Sequence, residues 1–144
     1  MMIALVQRSL LALALGAALA GIPATAEVIS FTAELKGGNE VPANGSAGTG
    51  TVALTYDPVE KKLSWKGSYA GLSGPVTAAH FHGPAVPGRN AGVVLPLPAN
   101  LPPAFEGSAT ISDAQAAELL AGRWYLNLHT AANPAGEIRG QVSK

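Results

Sequence analysis

The sequence contains no cysteine. That excludes disulfides, thiolate ligation of a metal, a lipid-modified N-terminal cysteine and a cysteine nucleophile. Charge is sparse as well, at 12% of residues, and the nine basic and nine acidic side chains are scattered singly. With no basic patch to neutralise phosphates, the composition argues against nucleic acid as a partner. No acidic run offers a calcium-loaded loop. A Gly-x-Ser-x-Gly nucleophile elbow is missing, and the stretch holding Gly83, Gly88 and Gly92 precedes a strand-like run, where a phosphate-binding loop would precede a helix. The one long apolar run, Ser9 to Ala20, is short for a bilayer span and no basic stop-transfer cluster follows it.

What that N-terminus does contain is the three-part pattern of an export signal. Met1 to Arg8 is a short basic region, Ser9 to Ala20 the apolar segment, and Ala24-Thr25-Ala26 the small-x-small site that signal peptidase accepts. The expectation is a signal peptide over 1–26, cleaved before Glu27, and a secreted or periplasmic chain with no stable membrane anchor after cleavage. Residues 27–144 then suffice for one domain, with a formal charge of −1 once Arg8 is removed.

This region alternates short β-prone runs with Gly, Pro and Asn punctuation, the rhythm of an all-β sandwich or barrel. Runs are expected over 28–35, 48–56, 63–69, 76–82, 91–97, 104–111, 124–129 and 137–142. Alternation sets Ile29, Phe31, Ala33 and Leu35 on one face of the first run, and Val52, Leu54 and Tyr56 on one face of the second. Leu63, Trp65, Gly67 and Tyr69 share a face of the third. Pro96 puts the end of the fifth at a sheet edge or outside the sheet. Ser112 and Gln115 form a capping box opening a short helix over 113–121, which Gly122 ends. Parallel crossovers need a dozen or more residues each, so the expected architecture is an antiparallel Greek-key β-sandwich with one short helix.

Chemistry concentrates at His80, His82 and His129, the three histidines. His80 and His82 form His-x-His, so both imidazoles leave one face of a strand with Cα atoms ~6.6 Å apart. Two rings at that spacing can converge on one ion. Gly83-Pro84 follows at once, placing the pair at a strand end near solvent. His129 ends its own run on the face of Tyr125 and Asn127, opposite Trp124, Leu126 and Leu128. Three imidazoles without a thiolate suit copper or zinc, copper coming first in the divalent affinity order, and leave a fourth position open. In the competing reading His80 and His82 are half-exposed strand residues and His129 is bonded to a backbone carbonyl. Glu137 and Arg139, two apart, read as a solvated charge pair of little energetic weight. Trp65 and Trp124 read as core aromatics in phase with leucine neighbours. No residue is assigned a catalytic role.

Four ordered stretches resemble the CHRD domain, named after chordin. They are Gly38-Asn39-Glu40-Val41-Pro42, Ala79-His80-Phe81-His82-Gly83-Pro84, Trp124-Tyr125-Leu126-Asn127-Leu128-His129-Thr130 and Asn133-Pro134-Ala135-Gly136-Glu137-Ile138-Arg139-Gly140-Gln141. The resemblance runs from about Phe31 to Val142 and implies an extracytoplasmic β-rich module over 27–144. A weaker likeness is to Cu/Zn superoxide dismutase, a Greek-key β-sandwich with His-x-His on a strand and a later copper-binding histidine. His80, His82 and His129 are similar to three of its copper ligands, while its bridging histidine, zinc ligands and disulfide cysteines have no counterpart here. The expectation is therefore an immunoglobulin-like or superoxide dismutase-like sandwich whose partner is a metal ion, copper or zinc, held by the three histidines. The alternative is a non-enzymatic interaction or structural module with no metal. Superoxide dismutase-like chemistry is the enzymatic runner-up.

Overall fold

Polar and apolar side chains alternate through the first strands, and each strand buries its apolar row. In the computed structural model, which describes residues 16–18, 21 and 26–144, β1 (Ile29–Lys36), β2 (Thr49–Asp57) and β3 (Lys62–Ala70) form an antiparallel meander in unbroken register. Phe31, Ala33 and Leu35 of β1, Val52, Leu54 and Tyr56 of β2, and Leu63 and Trp65 of β3 point to the core. Asp57 closes the β2–β3 turn by accepting from the backbone N–H of Val59 (2.9 Å) and of Glu60 (3.1 Å). The expected signal peptide lies for the most part outside the described residues, among which no helix is long and apolar enough to cross a membrane.

The chain continues through β4 (Val76–His82), β5 (Val93–Pro96), β6 (Ala104–Thr110), α1 (Asp113–Leu120), β7 (Tyr125–Thr130) and β8 (Ile138–Gln141). All lie within two residues of the runs read from sequence. The capping box of α1 is complete: Gln115 N–H donates to Ser112 Oγ (3.1 Å) and Ser112 N–H to Gln115 Oε1 (3.0 Å). Gly122 ends the helix at φ 72°, a conformation that suits glycine. Ala116 and Leu119 bury the inner side of α1 against the core.

The strands form one eight-stranded antiparallel sheet in the order β5-β4-β7-β8-β1-β2-β3-β6. Four strands separate β3 from β4 in that order, yet the rings of Trp65 and Phe81 meet edge to face with centroids 5.5 Å apart. The sheet is therefore curled, apolar face inward, around Phe31, Leu54, Phe81, Trp124, Leu126 and Leu128. Where the sequence predicts two packed sheets, hydrogen bonding is continuous. Lys36 pairs with Arg139, and Thr32 and Ser143 exchange backbone bonds of 2.9 and 3.1 Å, stitching β1 to the C-terminal strand. This junction joins residues about a hundred positions apart, which local patterning cannot register. Strand β5, with its Pro96, is an edge as expected.

Candidate metal centre

The β4–β7 register sets His80 opposite Asn127, His82 opposite Tyr125 and Ala78 opposite His129. Strand alternation then places His80, His82, Tyr125, Asn127 and His129 together on the outer face, away from Phe81, Leu126 and Leu128. The β7–β8 register adds Arg139 beside Asn127 and Gln141 beside Tyr125. Much of this face is screened from water, because residues 83–92 pack against it. The Tyr125 hydroxyl donates to Ala91 O (3.2 Å) and accepts from Ala91 N–H (3.1 Å). Gln141 Nε2 donates to Ala85 O and Gly122 O, both at 2.8 Å. Arg139 donates to Asn90 Oδ1 (2.7 Å) and to Arg89 O.

Glu137 and Arg139 are consequently not the solvated pair that their spacing predicts. Their exposures are 0% and 2%, and no ion pair joins them. Glu137 accepts instead from Ser46 Oγ (2.9 Å), Ser73 N–H (3.0 Å), Ser73 Oγ, Thr130 Oγ1 (2.8 Å) and Asn133 Nδ2 (3.0 Å). Burial pushes its carboxyl up, but the donors, Ser73 and Thr130 foremost, outweigh that and hold it at about 2. Three loops are thereby pinned behind β8.

All three sequence-predicted ligands converge. One nitrogen from each of His80, His82 and His129 lies within 4.8 Å of the other two, and His80 Nδ1 is 3.1 Å from His129 Nε2. Backbone carbonyls set the tautomers. His82 Nδ1 faces Ala91 O at 3.0 Å, and His129 Nδ1 faces Pro134 O at 2.9 Å. A carbonyl can only accept, so each Nδ1 carries the proton and each neutral ring presents its lone pair at Nε2. Those two Nε2 atoms lie 2.9 and 3.0 Å from Asn127 Oδ1, which is itself an acceptor. Three acceptors thus crowd one point, with only His80 Nδ1 left to supply a proton. Burial, with the neighbouring His129 adding to it, holds the pKa of both His80 and His82 below the ordinary imidazole value. His80 and His82 are therefore neutral at pH 7, and the crowd of lone pairs calls for a cation. On a tetrahedral ion with bonds of ~2.1 Å, ligand nitrogens stand ~3.4 Å apart, so a pair at the 4.8 Å limit needs to close by ~1.4 Å.

His82 is buried, and His80 and His129 are half-buried. The competing reading of His129 is met in one respect, its bond to a backbone carbonyl. Sequence reasoning missed the supports. The His82 and Tyr125 rings stack at 4.7 Å with 4° between planes, and the Arg139 guanidinium lies 3.5 Å from the Tyr125 centroid. Glu40, 7% exposed, reaches in from the turn after β1, and its Oε1 has no hydrogen-bond partner. Burial pushes its carboxyl up to about 7 against the opposing pull of Arg139 and Asn127. Gly136 lies beneath: at φ 128° a Cβ there would fall 2.5 Å from Glu40 Oε1 and 2.7 Å from Asn127 Nδ2. Glu40, Asn127 and Gly136 all stand within the four stretches quoted above, which was the signal available. A cavity of about 530 Å³ against Lys62, Lys66 and Glu106 holds none of these residues.

The family model for the CHRD domain matches residues 31–142, so the chain belongs to the CHRD domain family. No curated protein and no solved structure matches it.

Proposed function

We propose that this CHRD domain is an exported metal-binding protein that holds copper, or zinc in second place, on His80, His82 and His129. The observation that carries the reading is the tautomer lock. Two Nδ1–H groups are committed to the carbonyls of Ala91 and Pro134, which leaves two Nε2 lone pairs aimed at each other's neighbourhood beside His80. Carbonyl partners of this kind orient metal-ligating imidazoles and raise their basicity. Export is supported by the apolar run Ser9 to Ala20 and the small residues Ala24 and Ala26. Titration of metal-free protein with Cu²⁺ tests the proposal. Binding at one ion per chain, weakened strongly by alanine at each histidine, is expected; weak binding without fixed stoichiometry, unmoved by the substitutions, refutes it. Elemental analysis of protein from its native compartment identifies the metal, and mass spectrometry checks for a start near Glu27.

The same two carbonyl bonds favour a second reading, a non-enzymatic module in which the histidines are struts for the loops at Ala91 and Pro134. Alanine substitution would then lower the stability of metal-free protein and change no metal affinity. Dismutase-like turnover is a separate claim. Arg139 is committed to Asn90, Arg89 O and Tyr125, so its guanidinium is not free to steer an anion.

A further inference from the structure

Asn127 makes an unusual set of neighbours. Its Oδ1 faces two imidazole nitrogens that, by the tautomer argument, carry lone pairs. An amide free to turn would present Nδ2 there and donate to both. Turned that way, however, its oxygen would face Glu40, whose buried Oε1 flanks the same point above Gly136 as Asn127 Nδ2 does. A carboxylate repels a carbonyl oxygen and attracts an amide N–H. Burial pushes the Glu40 carboxyl up to about 7 against the pull of Arg139, which lies beside Asn127 in the ladder, so the carboxylate that favours this orientation prevails above that pH. The Gly136 position has no Cβ to wedge the two side chains apart.

We infer that Glu40 is a positioning residue for the three-histidine centre: its carboxylate holds the Asn127 amide with nitrogen toward Glu40 and oxygen toward His82 and His129, which keeps both Nε2 lone pairs uncapped and open to a cation. The purpose of this latch rests on the metal-binding reading, while its geometry stands apart from it. Replacing the carboxylate with an amide, as in Glu40→Gln, removes the latch. The new side-chain amide can donate to Asn127 Oδ1, the Asn127 amide turns, and Nδ2 caps the imidazoles.

Glu40→Gln tests this in two ways. Copper affinity should fall roughly tenfold to a hundredfold, the usual effect of losing an outer partner of a metal ligand. In metal-free protein at pH 8, NMR should place the Asn127 side-chain amide protons beside residue 40 in the wild type and beside the His82 and His129 rings in Glu40→Gln. The same substitution in an Asn127→Leu background separates positioning from general loosening. A leucine at 127 has no amide to turn, so Glu40→Gln should leave copper affinity there unchanged. Equal losses in both backgrounds, or wild-type affinity and an unturned Asn127 amide in Glu40→Gln, would overturn the inference. If the wild-type protein binds no copper, the metal reading fails, and the placement of the Asn127 amide protons alone decides whether the latch exists.

Discussion

The imidazole of His82 lies flat on the ring of Tyr125, 4.7 Å between centroids and 4° between planes. The Arg139 guanidinium sits 3.5 Å from the same centroid, and two groups so close to one ring must occupy opposite faces. Strands β4, β7 and β8 each contribute one layer, so the stack fixes the imidazole across three strands. The Tyr125 hydroxyl meanwhile ties down Ala91, whose carbonyl also sets the His82 tautomer. Tyr125→Ala should cost ~3–5 kcal/mol in urea unfolding, the range for truncating a buried aromatic. Tyr125→Phe keeps the stack and loses the hydroxyl bonds, for about 1–2 kcal/mol. Equal costs for the two variants would mean that the stack contributes nothing.

Much of this was legible in the sequence because it is local. Period-two alternation marks β1 to β3, and Ser112 with Gln115 marks the helix start. The histidine trio was legible because His-x-His fixes two rings on one face and His129 ends a strand. The burial of Glu137 and Arg139 was not, since nothing local says that residues 83–92 cross the outer face or that Ser46 and Ser73 meet one carboxylate. Alternation identifies two faces of a strand, and here both are covered. The β1–β8 junction was hidden for the same reason, being a contact between chain ends.

Glu137 provides a prediction with a sign in pH. Its folded pKa, about 2, lies below the ordinary carboxylate value, so its contribution to stability is present above about pH 4.5 and is lost as pH falls from there toward 2. Glu137→Gln turns an amide N–H₂ toward donors and should destabilise by ~3 kcal/mol or more at pH 7. The variant lacks the acid-side loss, so the gap between it and wild type should narrow below pH 4.5. A gap constant from pH 7 to pH 3 would show that the carboxylate is not specifically held.

Gly136→Ala should damage fold and centre together. The added Cβ meets Glu40 Oε1 and Asn127 Nδ2, and φ 128° is strained for any side chain. Backbone strain alone costs ~1–3 kcal/mol. Gly88, also at positive φ (84°) but with nothing near its Cβ position, is the control. Gly88→Ala should show the strain cost without a change in copper affinity. Thermal unfolding and copper titration of both variants check the contrast, and similar copper affinities for the two would refute a role for Gly136 beneath the centre.

The histidines set the pH response of the proposed centre. Metal ligation needs unprotonated nitrogen, and burial holds the pKa of His80 and His82 below 6.5. Copper affinity should therefore stay nearly flat as pH falls to about 6.5 and decline only below it. Stability of metal-free protein moves in the same direction for a separate reason. The unfolded chain takes up protons at His80 and His82 before the folded one does, so the folded state's advantage from these two is complete above about pH 6.5 and shrinks below it. Copper at a hundredfold excess over its Kd should add ~2.7 kcal/mol at pH 7, and that increment should vanish at pH 4. His82→Ala should abolish the increment and flatten the acid-side decline of the metal-free protein. Retention of the copper increment in His82→Ala, His80→Ala and His129→Ala alike would place the ion elsewhere on the chain and leave the three rings as struts.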